Sequence, residues 1–216
     1  MTVPSDGVGA RLDQGLARLG IAIDAEQRRR LLELVGLLQK WNRAYNLTAI
    51  RAPEEMVARH LLDSAAVLPH VAGPRLLDVG AGPGFPGLVL AILAPELAVT
   101  LLDSNGKKVR FQRQAVMELG LDNVTPVQAR VEAFAGRFDQ VISRAFAGLG
   151  DFVALTRPLV APEGQWLAMK GPAVEEELAD LPEEVVPVAR YDLEVPFEVG
   201  SRRLVVLERR GAGRTP

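Results

Sequence analysis

Apolar residues recur every three or four positions through much of the first third of the chain. One such face is formed by six residues: Leu31, Leu34, Val35, Leu38, Trp41 and Tyr45. This period predicts an amphipathic helix, and Asp24 with Gln27 three residues later has the spacing of a capping box at its start. A second helix is predicted over 53–68, because Pro53 and the two acids after it suit a first helical turn. Residues 1–70 are therefore expected to form a helical N-terminal extension packed on the core.

After residue 73, short aliphatic runs alternate with amphipathic helical segments. Strands are predicted at 75–79, 98–103, 123–128, 138–146 (with its exit loop), 164–171, 185–195 and 202–209. Helices are predicted at 86–94, 105–120, 150–160 and 175–181. This alternation is typical of an α/β fold with a mainly parallel, seven-stranded sheet and helices on both faces. The core is expected to span 71–210 with its last two strands antiparallel, and the basic tail 211–216 is expected to be disordered.

Composition limits the class of protein. The chain has 216 residues, of which 48% are apolar and only 5% aromatic, so it should form one domain of ordinary size with an aliphatic core. Its formal charge of -2 gives no global attraction to nucleic acid, although a local basic patch remains compatible with it. The absence of cysteine excludes a disulfide scaffold, zinc held by thiolates and a cysteine nucleophile. With only His60 and His70 as imidazole ligands, no metal site is expected.

The sequence does not indicate export or membrane insertion. The first residues carry Asp6 and Asp13 and lack an apolar stretch, unlike a signal peptide. No apolar run approaches the ~18 residues that a membrane-spanning helix needs. We therefore expect a cytoplasmic protein that contacts no membrane, and we expect it to be a monomer.

The segment LLDVGAGPGFPG, residues 76–87, carries the first candidate chemistry. Gly82, Gly84 and Gly87 have the G-x-G-x-x-G spacing of a dinucleotide-binding loop, and the loop follows a predicted strand and opens a predicted helix. Asp103, at the end of the next strand, occupies the position of an acid that binds ribose hydroxyls. The pattern predicts a nucleoside cofactor. A purely structural strand-to-helix turn is the alternative.

The acid Asp78, two residues before Gly80, helps to choose between cofactors. A carboxylate beside a pyrophosphate is unfavourable, whereas the ammonium and sulfonium groups of S-adenosylmethionine tolerate it. The run D-V-G-A-G-P-G also resembles the first motif of Rossmann-like S-adenosylmethionine methyltransferases, where Gly80, Gly82 and Gly84 would let the backbone approach the cofactor. We expect S-adenosylmethionine. An acid that merely caps the loop remains an alternative interpretation of Asp78.

Two later segments bear on the adenine and on the methyl acceptor. Val131 and Glu132 follow the third strand, where an N–H and an acid can fix an adenine. Arg144 follows the fourth strand in Ser-Arg-Ala-Phe, where adenine amino-methyltransferases often have Asn/Asp-Pro-Pro-aromatic. A ring nitrogen such as guanine N7 needs no base to attack a sulfonium, only alignment. Arg144, assigned to position the guanine, could donate to O6, although a salt bridge is the alternative.

Basic residues are candidates for contact with RNA. Four stand near the start of one predicted helix, and two follow strands at the carboxyl edge of the sheet: Lys107, Lys108, Arg110, Arg113, Arg130 and Lys170. Arg59 and His60, on a neighbouring helix, could face the same cleft. A solvated helix face is the alternative for the first group. For His60 a structural or RNA-contact role is favoured over a catalytic base, and Trp41 with Tyr45 is favoured as a packed pair over a base-stacking site.

Six segments in chain order resemble the RsmG (GidB) family: KWNRAYNLTAI, RHLLDS, DVGAGPGFPG, LLDSNGKKVRF, RVEAF and ISRAF. The resemblance implies a class I S-adenosylmethionine-dependent methyltransferase with a helical N-terminal extension. It implies methyl transfer to guanine N7 of 16S ribosomal RNA, free or in the small ribosomal subunit. By the family pattern, cofactor contacts fall on Gly80, Phe85, Val131, Glu132 and Arg144.

Two other functions remain open from the residues alone. An NAD-dependent oxidoreductase would use the same glycine loop, but Asp78 argues against it. A non-catalytic RNA-binding module could retain the cofactor pocket, but the intact loop and Asp103 argue against that.

Overall fold

The computed structural model describes residues 6–144, 146, 148–172, 174–200 and 202–211. The chain begins with helices and continues into a single sheet. The first helical elements are α1 (Asp6–Arg18), α2 (Ala25–Tyr45), α3 (Pro53–Met56), a π-helical turn (Val57–Leu62), α4 (Asp63–Ala65) and a 3₁₀ turn (Leu68–His70). The later helices are α5 (Gly87–Leu93), α6 (Gly106–Leu119), α7 (Leu149–Thr156) and α8 (Val174–Glu177), with short 3₁₀ turns at Val131–Ala133 and Leu178–Asp180.

Seven strands form one sheet. They are β1 (Arg75–Val79), β2 (Ala98–Asp103), β3 (Val124–Gln128), β4 (Phe138–Ser143), β5 (Val160–Lys170), β6 (Val185–Leu193) and β7 (Arg202–Arg209). Their order across the sheet is β3-β2-β1-β4-β5-β7-β6. The first five run parallel, and β7 is antiparallel to both β5 and β6. The predicted fold class is confirmed, including the antiparallel last pair.

Alternate residues of the central strands face two separate cores. Leu76 of β1 and Ile142 of β4 pack with α2, α5, α6 and the π-helical turn on one face. Leu77 and Trp166 pack with α7 on the other face. Because strand side chains alternate between faces, each central strand is apolar on both sides, as a sheet covered by helices on both faces requires.

The start of α2 is as predicted, but the burial of its last turn is not. The Asp24 side chain accepts from the Gln27 N–H and the Gln27 side chain accepts from the Asp24 N–H, so the capping box is confirmed. Tyr45, predicted on the buried face, is 40% exposed, and Trp41 is only partly buried. The helix ends at Tyr45, and its C-cap Asn46 has a left-handed conformation (φ 50°).

Two of the predicted helices differ from those observed in helix type or in length. The single helix expected over 53–68 contains a π-helical turn, which the apolar spacing does not distinguish from an α-helix. The helix expected over 150–160 ends at Thr156, because Val160 already pairs with Phe138 at the start of β5. The strand predicted over 164–171 begins earlier, at Val160, so residues 162–164 lie within β5, where the β4–β5 register shifts. Backbone pairing there outweighs the turn signal of proline and glycine.

The last predicted helix is interrupted. The helix expected over 175–181 divides into α8 and a 3₁₀ turn. The tail that was predicted to be disordered comprises residues 211–216. Of these, only Gly211 is described, and residues 212–216 lie outside the described residues.

The contact between α1 and the π-helical turn gives a test of how the extension is attached. A methyl group on Gly15 would lie 2.2 Å from Leu62 Cδ1, whereas one on Gly36 of α2 would meet no atom within 4 Å. We expect Gly15→Ala to lower the free energy of unfolding by about 1–3 kcal/mol through overpacking. Gly36→Ala should raise it by up to about 1 kcal/mol through helix propensity. Urea unfolding of both variants measures this, and equal effects would contradict the observed docking of α1.

Candidate functional site

The carboxyl ends of the parallel strands meet at one edge of the sheet, and the glycine loop lies across it. The loop leaves β1 after Val79, and the N–H groups of Gly80 and Ala81 both donate to the carbonyl of Leu102 on β2, at 2.9 and 3.2 Å. This is the edge at which open α/β sheets bind ligands. The loop is therefore fixed to β2 by its own backbone.

Asp78 lies beneath this loop and is fully buried. One carboxylate oxygen accepts from the Gly87 N–H at 2.8 Å, at the start of α5. The other oxygen, Oδ1, is buried and has no hydrogen-bond partner among the described residues. Burial raises the pKa of Asp78 to about 7, against the opposing effects of the Gly87 hydrogen bond and the Arg144 charge. An acceptor held in this way can take a further donor or a cation.

Asp103 is also buried, but both of its oxygens already have backbone partners. They accept from the Gly82 and Asn105 N–H groups, each at 2.8 Å. The Gly82 carbonyl in turn accepts from Gln112 of α6 at 2.7 Å. Each carboxylate oxygen can accept a second hydrogen bond, so Asp103 can shape the loop and still receive hydroxyl donors.

The loop glycines serve different purposes. Gly80 has φ 67°, and a methyl group there would meet nothing within 4 Å. Its backbone therefore faces open space beside the loop. At Gly84 (φ 98°) a methyl group would lie 2.4 Å from Leu88 Cδ1, so that position is required for packing of α5. Gly80, unlike Gly84, has the open surroundings that a ligand lying on the backbone needs.

Val131 and Glu132 lie in the 3₁₀ turn after β3. That strand ends beside β2, and the Ala129 N–H donates to the Asp103 carbonyl at 3.3 Å. Val131 is partly buried and Glu132 is exposed. Both residues thus lie on the same sheet edge as Asp103.

Arg144 leaves the end of β4 and is held by the N-terminal extension. Its guanidinium donates to Asp63 Oδ2 at 3.0 Å and to the Arg59 carbonyl at 3.2 Å. The other oxygen of Asp63 accepts from Arg202, at the start of β7, also at 3.0 Å. Asp63 is only 1% exposed, so one buried carboxylate bridges two arginines from different strands. The salt-bridge alternative for Arg144 is thus observed, and it fixes the guanidinium at the sheet edge.

His60 lies between Arg144 and the glycine loop. Its ring stacks on Phe85 with a centroid distance of 4.8 Å and an angle of 8°. Nδ1 lies 3.4 Å from an Arg144 nitrogen and Nε2 lies 3.0 Å from the Thr48 hydroxyl. Burial, with the charges of Arg144 and Arg59, lowers the pKa of His60 to about 3. The ring is therefore neutral, with Nδ1 as the acceptor facing Arg144. Phe85 is buried beneath it, and its N–H donates to the Ala81 carbonyl at 3.0 Å.

A cavity of about 300 Å³ opens beside these residues. Its lining includes Ile50, Arg59, His60, Asp63, Arg144, Lys170 and Arg202. Lys170 donates to the Phe146 carbonyl at 3.0 Å and to Glu177 at 2.7 Å, and Arg59 pairs with Glu198 at 3.4 Å. The structure therefore brings four predicted residues together here: Arg59, His60, Arg144 and Lys170.

The remaining predicted basic residues lie apart from this cavity's lining. Lys107, Arg110 and Arg113 of α6 and Arg130 after β3 are exposed, and Lys108 is partly buried. The Lys108 ammonium lies 4.0 Å from where a methyl group on Gly82 would be. The start of α6 is thus adjacent to the glycine loop, on the opposite side from Arg202.

Several residues of the site were missed in the sequence. Asp63 and Thr48 lie within segments that carry the family resemblance, but no spacing rule indicates their partners. Arg202 gives no signal at all, because its role depends on β7 inserting beside β5. Gln112 is a buried polar residue on a helix face, a signal that an amphipathic pattern does contain.

Comparison with known proteins gives the family. Residues 27–206 match the GidB family model, described as rRNA small subunit methyltransferase G. The chain belongs to this family. It is 67% identical to Ribosomal RNA small subunit methyltransferase G of Chromohalobacter salexigens, over 93% of this chain and 97% of that protein. It is 53% identical to the protein of that name from Pseudomonas aeruginosa PAO1, over 92% of this chain and 94% of the other.

Solved structures agree on the fold at low sequence identity. TrmN from Thermus thermophilus superposes with a TM-score of 0.56 at 19% identity, covering 95% of this chain and 79% of that one. A ribosomal protein L11 methylase from Lactobacillus delbrueckii gives a TM-score of 0.54 at 16% identity, covering 69% of this chain and 77% of that one. The fold is that of the class I S-adenosylmethionine methyltransferases.

Among the described residues no helix combines the length and apolarity needed to cross a membrane. Within the same residues no group of three or more histidine or acidic side chains is arranged to hold a metal ion.

The buried carboxyl of Asp78 predicts a specific pH dependence of stability. Its pKa rises from an ordinary value of 3.8 to about 7 on folding. Between these values the folded protein retains a proton that the unfolded chain has released, so this group makes stability fall as pH rises from about 4 to 7. In Asp78→Asn the side-chain oxygen can still accept from Gly87, but the titration is removed. Its free energy of unfolding, relative to wild type, should therefore increase across that window.

Urea unfolding at intervals of pH measures this difference. The exposed Asp122→Asn is the matched control and should follow wild type. A constant difference between Asp78→Asn and wild type would show that Asp78 stays ionised in the folded protein.

Proposed function

We propose that this chain transfers a methyl group from S-adenosylmethionine to N7 of one guanine in 16S ribosomal RNA, in line and without a covalent enzyme intermediate. Membership of the family makes the chain a ribosomal RNA methyltransferase that uses S-adenosylmethionine. The base, the atom and the mode of transfer are the proposal. The observation that carries them is the fixed Arg144 guanidinium beside a cavity at the carboxyl edge, where both ring nitrogens of the neighbouring His60 already face partners.

The residues of the glycine loop fit S-adenosylmethionine. The unpartnered, buried Oδ1 of Asp78 suits a cationic or N–H donor group, and the open backbone at Gly80 admits a ligand. Gly82 and Gly84 shape the loop. Asp103 has acceptor positions left for the ribose hydroxyls, and Val131 with Glu132 lies where adenine would be bound. When bound, the cofactor supplies an electrophilic methyl group on a sulfonium. The chain's own contribution is to hold it and to exclude water.

Arg144 is proposed to hold the guanine. Asp63 and the Arg59 carbonyl fix the Arg144 guanidinium, and a fixed arginine can donate to guanine O6 beside N7. Guanine N7 carries a free lone pair, so the chain needs only to align it with the methyl group. The surroundings of His60 agree, because Nδ1 already faces an Arg144 nitrogen, Nε2 already faces the Thr48 hydroxyl, and the ring has a pKa of about 3. His60 is therefore assigned a structural role rather than that of a base.

The RNA strand is proposed to enter along the basic residues at this edge. The cofactor side would be contacted by Lys107, Lys108, Arg110, Arg113 and Arg130, and the acceptor side by Arg59 and Lys170. Each phosphate neutralised should contribute about -0.7 to the slope of log affinity against log salt on single-stranded RNA.

Methyl transfer from labelled S-adenosylmethionine tests the whole proposal. The acceptors are small ribosomal subunits and naked 16S ribosomal RNA, both from cells that lack this enzyme. Chemical cleavage specific for 7-methylguanine then maps the product. Cleavage at one guanine supports the reaction, base and atom together. Incorporation without such cleavage rejects N7, and cofactor binding without incorporation into either acceptor favours a binding module instead.

Substitution of Arg144 separates its charge from its shape. Arg144→Lys keeps the positive charge but loses the planar set of donors that reaches Asp63, the Arg59 carbonyl and His60. We expect kcat/KM for the RNA acceptor to fall roughly ten- to hundredfold, the loss of one well-formed guanine contact. Arg144→Glu, which sets a carboxylate against Asp63, should abolish transfer.

The control for this pair is Arg137→Lys. Arg137 is exposed just before β4, at the opposite edge of the sheet from Arg144. Steady-state methyl transfer with varied RNA and varied cofactor gives both constants for each variant. Wild-type turnover by Arg144→Lys would remove Arg144 from the acceptor site.

A further inference from the structure

Three aromatic rings form a series from the core to the surface at the end of α2. Phe111 of α6 is fully buried, and Trp41 packs edge-on against it at a centroid distance of 5.8 Å. Tyr45 leans on Trp41 at 5.2 Å and is 40% exposed. The inner rings hold Tyr45 in place while part of its ring remains open to solvent. This is more than the packed pair favoured by the sequence.

Tyr45 stands between the cofactor loop and the acceptor cavity. On one side, Lys107 and Lys108 lie one helical turn before Phe111, and Lys108 reaches toward Gly82. On the other side, Arg51 donates to the side chain of Asn46, the residue after Tyr45, at 2.8 Å. Ile50, the neighbour of Arg51, lines the cavity. An extended strand whose target base enters the cavity would therefore pass Tyr45.

The basic side chains in the first half of α2 differ in their ion pairing from those near Tyr45. In its first half, Arg28, Arg29 and Arg30 are all paired with carboxylates. Near the end of α2 the basic side chains are Lys40 and Arg43, which lie on helix faces away from Tyr45, Arg51 in the segment that follows, and Lys107 and Lys108 at the start of neighbouring α6. Within the described part of the chain, none of these five has a carboxylate at ion-pair distance. Arg51 is instead held by amide and carbonyl oxygens, which leave its charge uncompensated.

We propose that Tyr45 is a stacking platform for a base of single-stranded RNA that flanks the target nucleotide, with Arg51 contacting an adjacent phosphate. This rests on the proposed function for the identity of the RNA. A flat ring with unpaired cations on both sides is how proteins bind single strands without reading their sequence, because every base presents a face to stack and every nucleotide a phosphate. A duplex would offer the ring no base face, so the segment bound here is unpaired.

Fluorescence of 2-aminopurine in a short single-stranded oligoribonucleotide tests the platform directly, because this base loses emission when it stacks. Tyr45→Leu keeps an apolar contact with Trp41 and removes the flat ring, and Tyr45→Phe retains it. We expect wild type and Tyr45→Phe to quench the probe. Tyr45→Leu should lose the quenching and bind the oligoribonucleotide roughly tenfold more weakly, with an unchanged salt slope. Arg51→Ala should keep the quenching and reduce the slope by about 0.7.

The other tyrosine of the chain is the matched control. Tyr191 is also 40% exposed and also stacks on a ring, that of His70, but it belongs to edge strand β6. Tyr191→Leu should quench and bind as wild type does. Quenching by Tyr45→Leu equal to that of wild type, or none by wild type, overturns the proposal. Because this readout needs no methyl transfer, absence of transfer to ribosomal RNA would reject the proposed function while leaving the platform to be judged by quenching.

Discussion

The buried carboxylate of Asp63 joins the N-terminal helices to the carboxyl edge of the sheet. A carboxylate removed from water is costly unless donors surround it, and here Arg144 and Arg202 supply them from β4 and β7. Those strands lie on opposite sides of β5, so the pair can form only once the sheet order is complete. The extension is thus part of the site, since it carries the group that holds both arginines beside the cavity.

The π-helical turn extends the same coupling to the glycine loop. It contains His60, whose ring covers Phe85 while its nitrogens face Arg144 and Thr48. A wider helical turn shifts the side chains on it relative to the regular α-helical spacing. The residues that shape the acceptor side and the ring that covers the loop therefore belong to one short segment. A disturbance of that segment would reach both sides of the site together.

The sequence predicts the fold better than it predicts the contacts within the site. Hydrophobic period and turn residues locate the seven strands and most helices, because those signals are local. The π-helical turn and the early start of β5 escape them, since both depend on partners distant in the chain. The same holds for function. The glycine loop, Asp78 and Arg144 follow from spacing and resemblance, whereas Asp63 and Arg202 become partners only through tertiary packing.

Charge is divided across this edge in a way that suits the proposed reaction. Two buried acids, Asp78 and Asp103, lie beneath the glycine loop, while the cavity has Arg59, Arg144, Lys170 and Arg202 around a single buried acid, Asp63. In the proposed reaction, methyl transfer from a sulfonium to N7 would move a positive charge from above these two acids toward the arginine-lined cavity. Arg144 would attract O6 of the substrate base. After transfer, the positive charge of the same arginine would repel the cationic product base. In that proposal, the same arrangement of charged groups would favour cofactor binding before the reaction and release of the base after it.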